Sequence, residues 1–242
     1  MRKKTVRRAE PDGNVLVADS QPWEAELAQD LPAVPILPET LLRLDLEVQE
    51  SSVNLRVVTQ VVLNDLGATV QIFRLAGREF GNGGGRPTRI EDCISWLGVS
   101  ACLEAVSAEI IAHDYRYNGV SATWAHSREI ARCAQQVAEQ TSDANPDEAY
   151  LIGLFHSIAL LPPVLGWYGS HGKTIDLAQA GLQIAKQWAL PRFAIEYFSD
   201  TCKDQSASPW AEIVSKAHRI ADKSSIPCPL EHRFRPVLYR AV

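Results

Sequence analysis

Two histidines and a late aspartate are the residues of this chain best placed to do chemistry. His126 lies in W-A-H-S, His156 follows 30 positions later beside Ser157 in L-F-H-S-I, and Asp222 closes A-H-R-I-A-D. Imidazole and carboxylate are donor types that hold a divalent ion, and an ion so held can activate water at a phosphate. Each residue also has a plainer reading. His126 and His156 serve as core histidines if bonded to a backbone carbonyl or to Ser157, and Asp222 as a solvated helix end beside His218. Glu129 and Asp114 are further carboxylates, but no spacing selects them as ligands.

The stretch that must position His156 runs from Asn145 to Gly166. Asn145 suits a helix N-cap, Pro146 the first helical position, and Asp147 and Glu148 set negative charge against the positive end of the dipole. Beyond them Leu151, Ile152, Leu154, Phe155, Ile158 and Leu160 make the helix apolar all round, the pattern of a buried helix. Pro162-Pro163 is expected to stop it. No charged residue occurs between Glu148 and Lys173, yet His156-Ser157 and the two prolines interrupt the run, so a membrane span of about 20 apolar residues is excluded.

The other elements read as helices too. Leu41, Leu44 and Val48 share one face; Ser52 or Asn54 caps a second helix through Val57, Val58, Val61 and Val62; Asp65 starts a third. Thr88 and Glu91 read as a capping box for a short helix ended by Gly98, and Ser100 opens the next. A longer helix from about Thr123 to Gln140 puts His126, Ile130, Cys133, Ala134 and Val137 on one inward stripe. Further helices are expected over Ile175 to Ala189, Arg192 to Phe198 and Ser208 to Asp222. Trp96, Trp124, Trp188 and Trp210 read as core. No strand-like alternation stands out, so the fold class is all-α.

Two glycine motifs are discounted as phosphate loops. The cluster at 81–85 lacks a preceding strand, and in Gly172-Lys173-Thr174 the required first glycine falls on Trp167. A helix-turn-helix over Leu55 to Ala76 has only Gln71 and Arg74 to offer a base edge.

The net charge of −5 is unevenly spread. Arg2, Lys3, Lys4, Arg7 and Arg8 crowd the first ten residues, and the remainder holds 19 basic against 28 acidic residues, −9. An acidic body argues against a nucleic acid partner. The basic leader lacks the apolar stretch of a signal peptide. Five scattered cysteines with no C-x-x-C pair suit a reducing cytoplasm and offer no zinc-ligand pattern.

The order His126, His156-Ser157, Asp222 resembles the HD superfamily of metal-dependent phosphohydrolases, whose signature is a histidine, a His-Asp dipeptide and a late aspartate. More specifically, the chain resembles the HD-related output domain, HDOD, over about Leu31 to Asp222. The matching pieces are L-P-A-V-P-I-L-P, Asp65 followed by I-F-R-L-A, R-I-E-D-C-I-S-W-L-G, W-A-H-S, A-Y-L-I-G-L-F-H-S-I-A, W-A-L-P and A-H-R-I-A-D. The resemblance implies an HD-like multi-helix bundle in two helical sub-bundles, joined here around His113 to Thr123. It also implies a bacterial signalling or regulatory module without established activity of its own. The departures bear on chemistry. The family's H-D-I-G-K reads His156-Ser157-Ile158-Ala159-Leu160, so the anchoring carboxylate and the lysine are gone; Gly77-Arg78 stands for Asn-Ser, and Tyr197-Phe198-Ser199 for histidines.

The expectations are these. Residues 1–30 form a basic leader, 31–222 the HDOD domain and 223–242 a tail. The pocket of His126, His156, Ser157 and Asp222 is vestigial, with no catalytic residue, metal or cofactor. The protein is not an enzyme but a cytoplasmic regulatory module acting through a protein partner, with homo-oligomerisation open. The alternative is a metal-dependent phosphohydrolase acting on a nucleotide or phosphorylated substrate.

Overall fold

Asn54, Asp65 and Asn145 each turn a side-chain oxygen onto the backbone N–H groups of the second and third residues of the following helix, and these caps set the chain's punctuation. The computed structural model of the protein describes residues 34–81, 87–108, 118–141, 144–165, 177–203 and 208–222. Among them every regular element is helical apart from one isolated bridge residue at Ile36.

The first group of helices is α1 (Pro38–Gln49), α2 (Leu55–Leu63), α3 (Leu66–Phe80), α4 (Ile90–Leu97) and α5 (Val99–Ser107). Here α1 packs on α2 and α5, and α3 on α2, α4 and α5. The second group is α6 (Asn118–Glu139), α7 (Pro146–Phe155), a 3-10 turn (Ile158–Leu160), α8 (Leu161–Leu165), α9 (Leu177–Gln187), α10 (Arg192–Cys202) and α11 (Pro209–Ala221). In it α6 lies along α7 and α11, and α9 along α10 and the 3-10 turn. The two expected sub-bundles are therefore visible. Residues 109–117 of the expected joint lie outside the described residues, and 118–123 are the first turns of α6.

One apolar core runs through both groups, from Ile36, Leu66 and Phe73 to Trp124, Ile152, Phe155 and Trp188. Phe73 meets Phe155 edge-on at 6.0 Å. Asp65 is fully buried and ties three segments together. Its carboxylate accepts from Leu37 N at 2.8 Å, from Gly67 N and Ala68 N at 2.8 and 3.2 Å, and from Trp124 Nε1 at 2.8 Å. Burial pushes the Asp65 carboxyl up, while those donors pull it down.

Three sequence expectations need correction. The central helix does not run on to Pro162. It ends at Phe155, with His156 as C-cap, and the His156 ring bonds the Gly153 carbonyl, the one that Ser157 N–H would reach in a further turn. Pro162 then sits in the first turn of α8, where a missing N–H costs nothing. The N-cap of α4 is Arg89 with no side-chain cap bond, so Thr88 and Glu91 form no capping box. Trp96 is 62% exposed, because Ile90, Cys93 and Ile94 take the buried face of that short helix. Burial adds to the sequence argument against a helix-turn-helix over Leu55 to Ala76, since Leu66 to Phe73 are all buried.

The leader, residues 82–85 of the glycine cluster, Gly172-Lys173-Thr174 and the tail lie outside the described residues. No helix among the described residues is long and apolar enough to cross a membrane.

Candidate functional site: a three-histidine pocket

On α6, positions 123, 124, 126, 127, 130 and 131 are buried, so Thr123 to Ala131 turn one face continuously inward. His126 and Ser127 lie on that face. The face meets α7 closely because Gly153 has no side chain: a Cβ there would stand 2.6 Å from Ala131 Cα. That close approach brings the end of α7, with His156 and Ser157, against His126 and Ser127.

The resulting contacts are specific. His126 Nε2 and His156 Nε2 are 3.2 Å apart, and the hydroxyls of Ser127 and Ser157 meet at 2.6 Å. His156 Nδ1 lies 2.6 Å from the Gly153 carbonyl, so Nδ1 carries the proton and donates it. Its Nε2 therefore carries a lone pair that points at His126. A third ring closes the cluster from α11. His218 stands with its centroid 5.3 Å from His126 and 5.0 Å from His156, and the ligand atoms of the three imidazoles all lie within 4.8 Å of one another. His126 is buried; His156 lies deep yet keeps a partly exposed edge, as does His218.

The electrostatics keep His126 and His156 neutral. Burial, and then the neighbouring His218, lower His126 to about 3. His156 is held well below the usual histidine range by burial, then by His218 and His126, against a smaller opposing effect of its bond to Gly153. Neutral imidazoles are the form that binds metal.

Of the four residues singled out in the sequence, the structure brings His126, His156 and Ser157 together. Asp222 caps α11 one turn beyond His218, is exposed, and is not among the clustered donors. Glu129 pairs with Arg132 at 2.9 Å and is not in the cluster either; Asp114 lies outside the described residues. The histidine that sequence reasoning left out is His218. Its signal was present: Val214, Ala217 and Ala221 are buried, and His218 falls on the same helical stripe at i, i+3, i+4, i+7.

The pocket can thus do one of two things. It can stand as a hydrogen-bonded polar core, or it can offer three nitrogen donors to a metal ion. Among the described residues no carboxylate joins that set.

The family model for the HDOD domain matches residues 34–165. The fold is similar to that of the MmoQ response regulator from Methylococcus capsulatus str. Bath. The TM-score is 0.64 at 19% identity, over 86% of this chain and 97% of that one. It is also similar to a virulence factor from Campylobacter jejuni subsp. jejuni, with TM-score 0.54 and 17% identity over 82% and 79% of the two chains. No curated protein matches the sequence significantly.

Proposed function

The chain belongs to the HDOD domain family, and on that premise we propose that it is a regulatory output module that works through protein contacts and does not hydrolyse phosphate esters. The observation that carries this reading is Ser157. It occupies the second position of the family's dipeptide, is 1% exposed, and spends its hydroxyl on Ser127. The aspartate missing there is the anionic oxygen ligand of the family's signature, and among the described residues the clustered donors are imidazoles alone, a set without the oxygen ligands that Mg²⁺ or Mn²⁺ asks for. The likeness in fold to a protein named a response regulator agrees with a regulatory role. Exposed apolar side chains provide contact surface: Trp96 stacks edge-on with Phe80 at 5.5 Å, and Leu42 and Leu46 stand 61% and 55% exposed on one face of α1.

The test is hydrolysis of p-nitrophenyl phosphate, bis-p-nitrophenyl phosphate and nucleoside triphosphates with Mg²⁺, Mn²⁺ and Zn²⁺ in turn. The expected result is no turnover above that of His156→Ala. Turnover by the wild type that His156→Ala abolishes defeats the proposal and restores a phosphohydrolase.

A second reading is favoured by the three clustered imidazoles: the pocket retains a metal ion without hydrolytic function. The donor set fits one class of ion. Three imidazole nitrogens suit Zn²⁺, Ni²⁺ or Cu²⁺ and not Mg²⁺, which asks for oxygen. His126, His156 and His218 would hold the ion, and the Nδ1–H bond of His156 to Gly153 is the outer support that metal-bound imidazoles ordinarily have. Once bound, such an ion supplies Lewis acidity. Thermal stability decides this reading. Zn²⁺ should raise the wild-type melting temperature and leave that of His218→Ala where it was, whereas equal effects on both proteins count against it.

A further inference from the structure

On the other side of α7 from the histidines lies a cavity of about 430 Å³, between α2, α4, α6 and α7. We propose that this cavity binds a small organic anion, an apolar body carrying one phosphate or carboxylate group. Three observations converge on it. The volume is within the range of about 300–1,000 Å³ typical of small-molecule pockets. The floor is apolar, with Ile90 and Leu151 buried, and the walls supply Gln60, Gln135 and Tyr150 as neutral polar groups, the lining carboxylates Glu91 and Asp147 being paired with Arg89. Finally, two of its residues hold unused hydrogen-bonding capacity.

The first is Thr59. It is 7% exposed, lines the cavity, and its hydroxyl is buried with no hydrogen-bond partner. Buried hydroxyls are ordinarily paired, so an unpaired one at a cavity wall marks a place for a ligand atom. The second is Arg56 on the rim, one helical turn before Gln60. Its neighbour Arg89 is occupied, 3.0 Å from Asp147 and 3.9 Å from Glu91. Arg56 makes no ion pair among the described residues. A guanidinium left open at the mouth of a cavity, in a body of net negative charge, matches a phosphate or carboxylate bidentately. Tyr150 already donates its hydroxyl to the Leu63 carbonyl at 3.1 Å, which fixes the ring as a wall and leaves its oxygen free to accept.

The site is separate from the histidine cluster, so the inference stands whether or not that cluster binds metal. It is tested on the full chain with phenyl phosphate and benzoate as the two anionic probes and phenol as the control without charge. Binding is read by saturation-transfer NMR and by amide shifts. The expected result is that at least one anion binds, weakens as salt is raised, and shifts amides of Thr59, Gln60 and Tyr150, while phenol does not. Arg56→Gln, an exposed substitution that breaks no internal bond of its side chain, should weaken binding about tenfold, a loss of about 1.4 kcal/mol. Thr59→Val, which keeps shape and removes the hydroxyl, should weaken it too while leaving the fold intact. Binding of neither anion, equal binding of phenol, or binding indifferent to Arg56→Gln overturns the proposal.

Discussion

Ser127 and Ser157 face each other across the α6–α7 contact with their hydroxyl oxygens 2.6 Å apart, both buried. Ser157 stands at the sequence position where the family's dipeptide carries an aspartate. Ser157→Ala leaves the Ser127 hydroxyl unpaired in the core, a loss of about 1–3 kcal/mol. Ser157→Asp should cost more in chelator-treated protein, since it buries a charge among neutral imidazoles. Zn²⁺ should then raise the melting temperature of Ser157→Asp more than that of the wild type. Thermal melts of the three proteins, with chelator and with Zn²⁺, check this; identical Zn²⁺ shifts for aspartate and serine rule out a shared metal pocket.

Stability should fall on the acid side of neutrality in chelator-treated protein. In the unfolded chain a histidine takes up its proton near pH 6.5, whereas folded His126 does so only near 3. Between those values the unfolded state holds the extra proton, so acid favours unfolding. The stabilisation is fully present above about 6.5 and drains away as pH falls toward 3, at up to about 1.4 kcal/mol per pH unit for each such histidine. His156, shifted the same way, adds to the slope. Denaturant melts from pH 7.5 to 4.5 should show this loss, and His126→Phe should flatten it. A wild-type profile level down to pH 5 contradicts the neutral cluster.

The features legible in the sequence are those decided within a turn of chain. Asn54, Asp65 and Asn145 cap where they stand because their side chains reach only two or three residues onward. The inward stripe of α6, with His126 on it, follows from periodicity alone. Hidden from the sequence was whatever depended on a partner far along the chain. The break at His156 is the local exception: its ring bonds the Gly153 carbonyl three residues back, a contact that apolar periodicity does not encode. His218 lay on a readable stripe, yet the resemblance to a signature ending in aspartate directed attention to Asp222. Trp96 shows the limit of composition: tryptophan suggests core, but a helix of 8 residues has one buried face and Ile90, Cys93 and Ile94 occupy it.

Trp124 donates its indole N–H to Asp65 across 59 positions of sequence, and the same carboxylate caps α3 and holds Leu37 N. Asp65→Ala therefore strands several buried donors at once. The expected loss is about 3–5 kcal/mol, the range seen when a buried charged network loses a member. Asp65→Asn keeps one acceptor oxygen and should lose less. Urea melts followed by Trp fluorescence measure both; a loss from Asp65→Ala of under about 1 kcal/mol would make the node ornamental.

Gly153 serves the histidine pocket twice, and its substitution tests the link between packing and site. Its missing side chain lets α7 approach Ala131, and its carbonyl orients His156. In Gly153→Ala the new methyl would stand 2.6 Å from Ala131 Cα and 2.9 Å from both Ala131 N and the Ile130 carbonyl. These are backbone atoms, so no side chain can swing aside and the helices must part. Alanine favours helix over glycine by about 1 kcal/mol, but overpacking of this kind costs about 1–3 kcal/mol and outweighs it. The displacement falls between the helix that carries His126 and the one that carries His156, so their 3.2 Å approach should lengthen. Two measurements are expected to move together. The melting temperature drops by several degrees, and the ring resonances of His126 and His156 shift in NMR spectra recorded well below the melt. Stabilisation by alanine, as at an ordinary exposed helix position, would mean that the close contact of α6 and α7 is not what assembles the pocket.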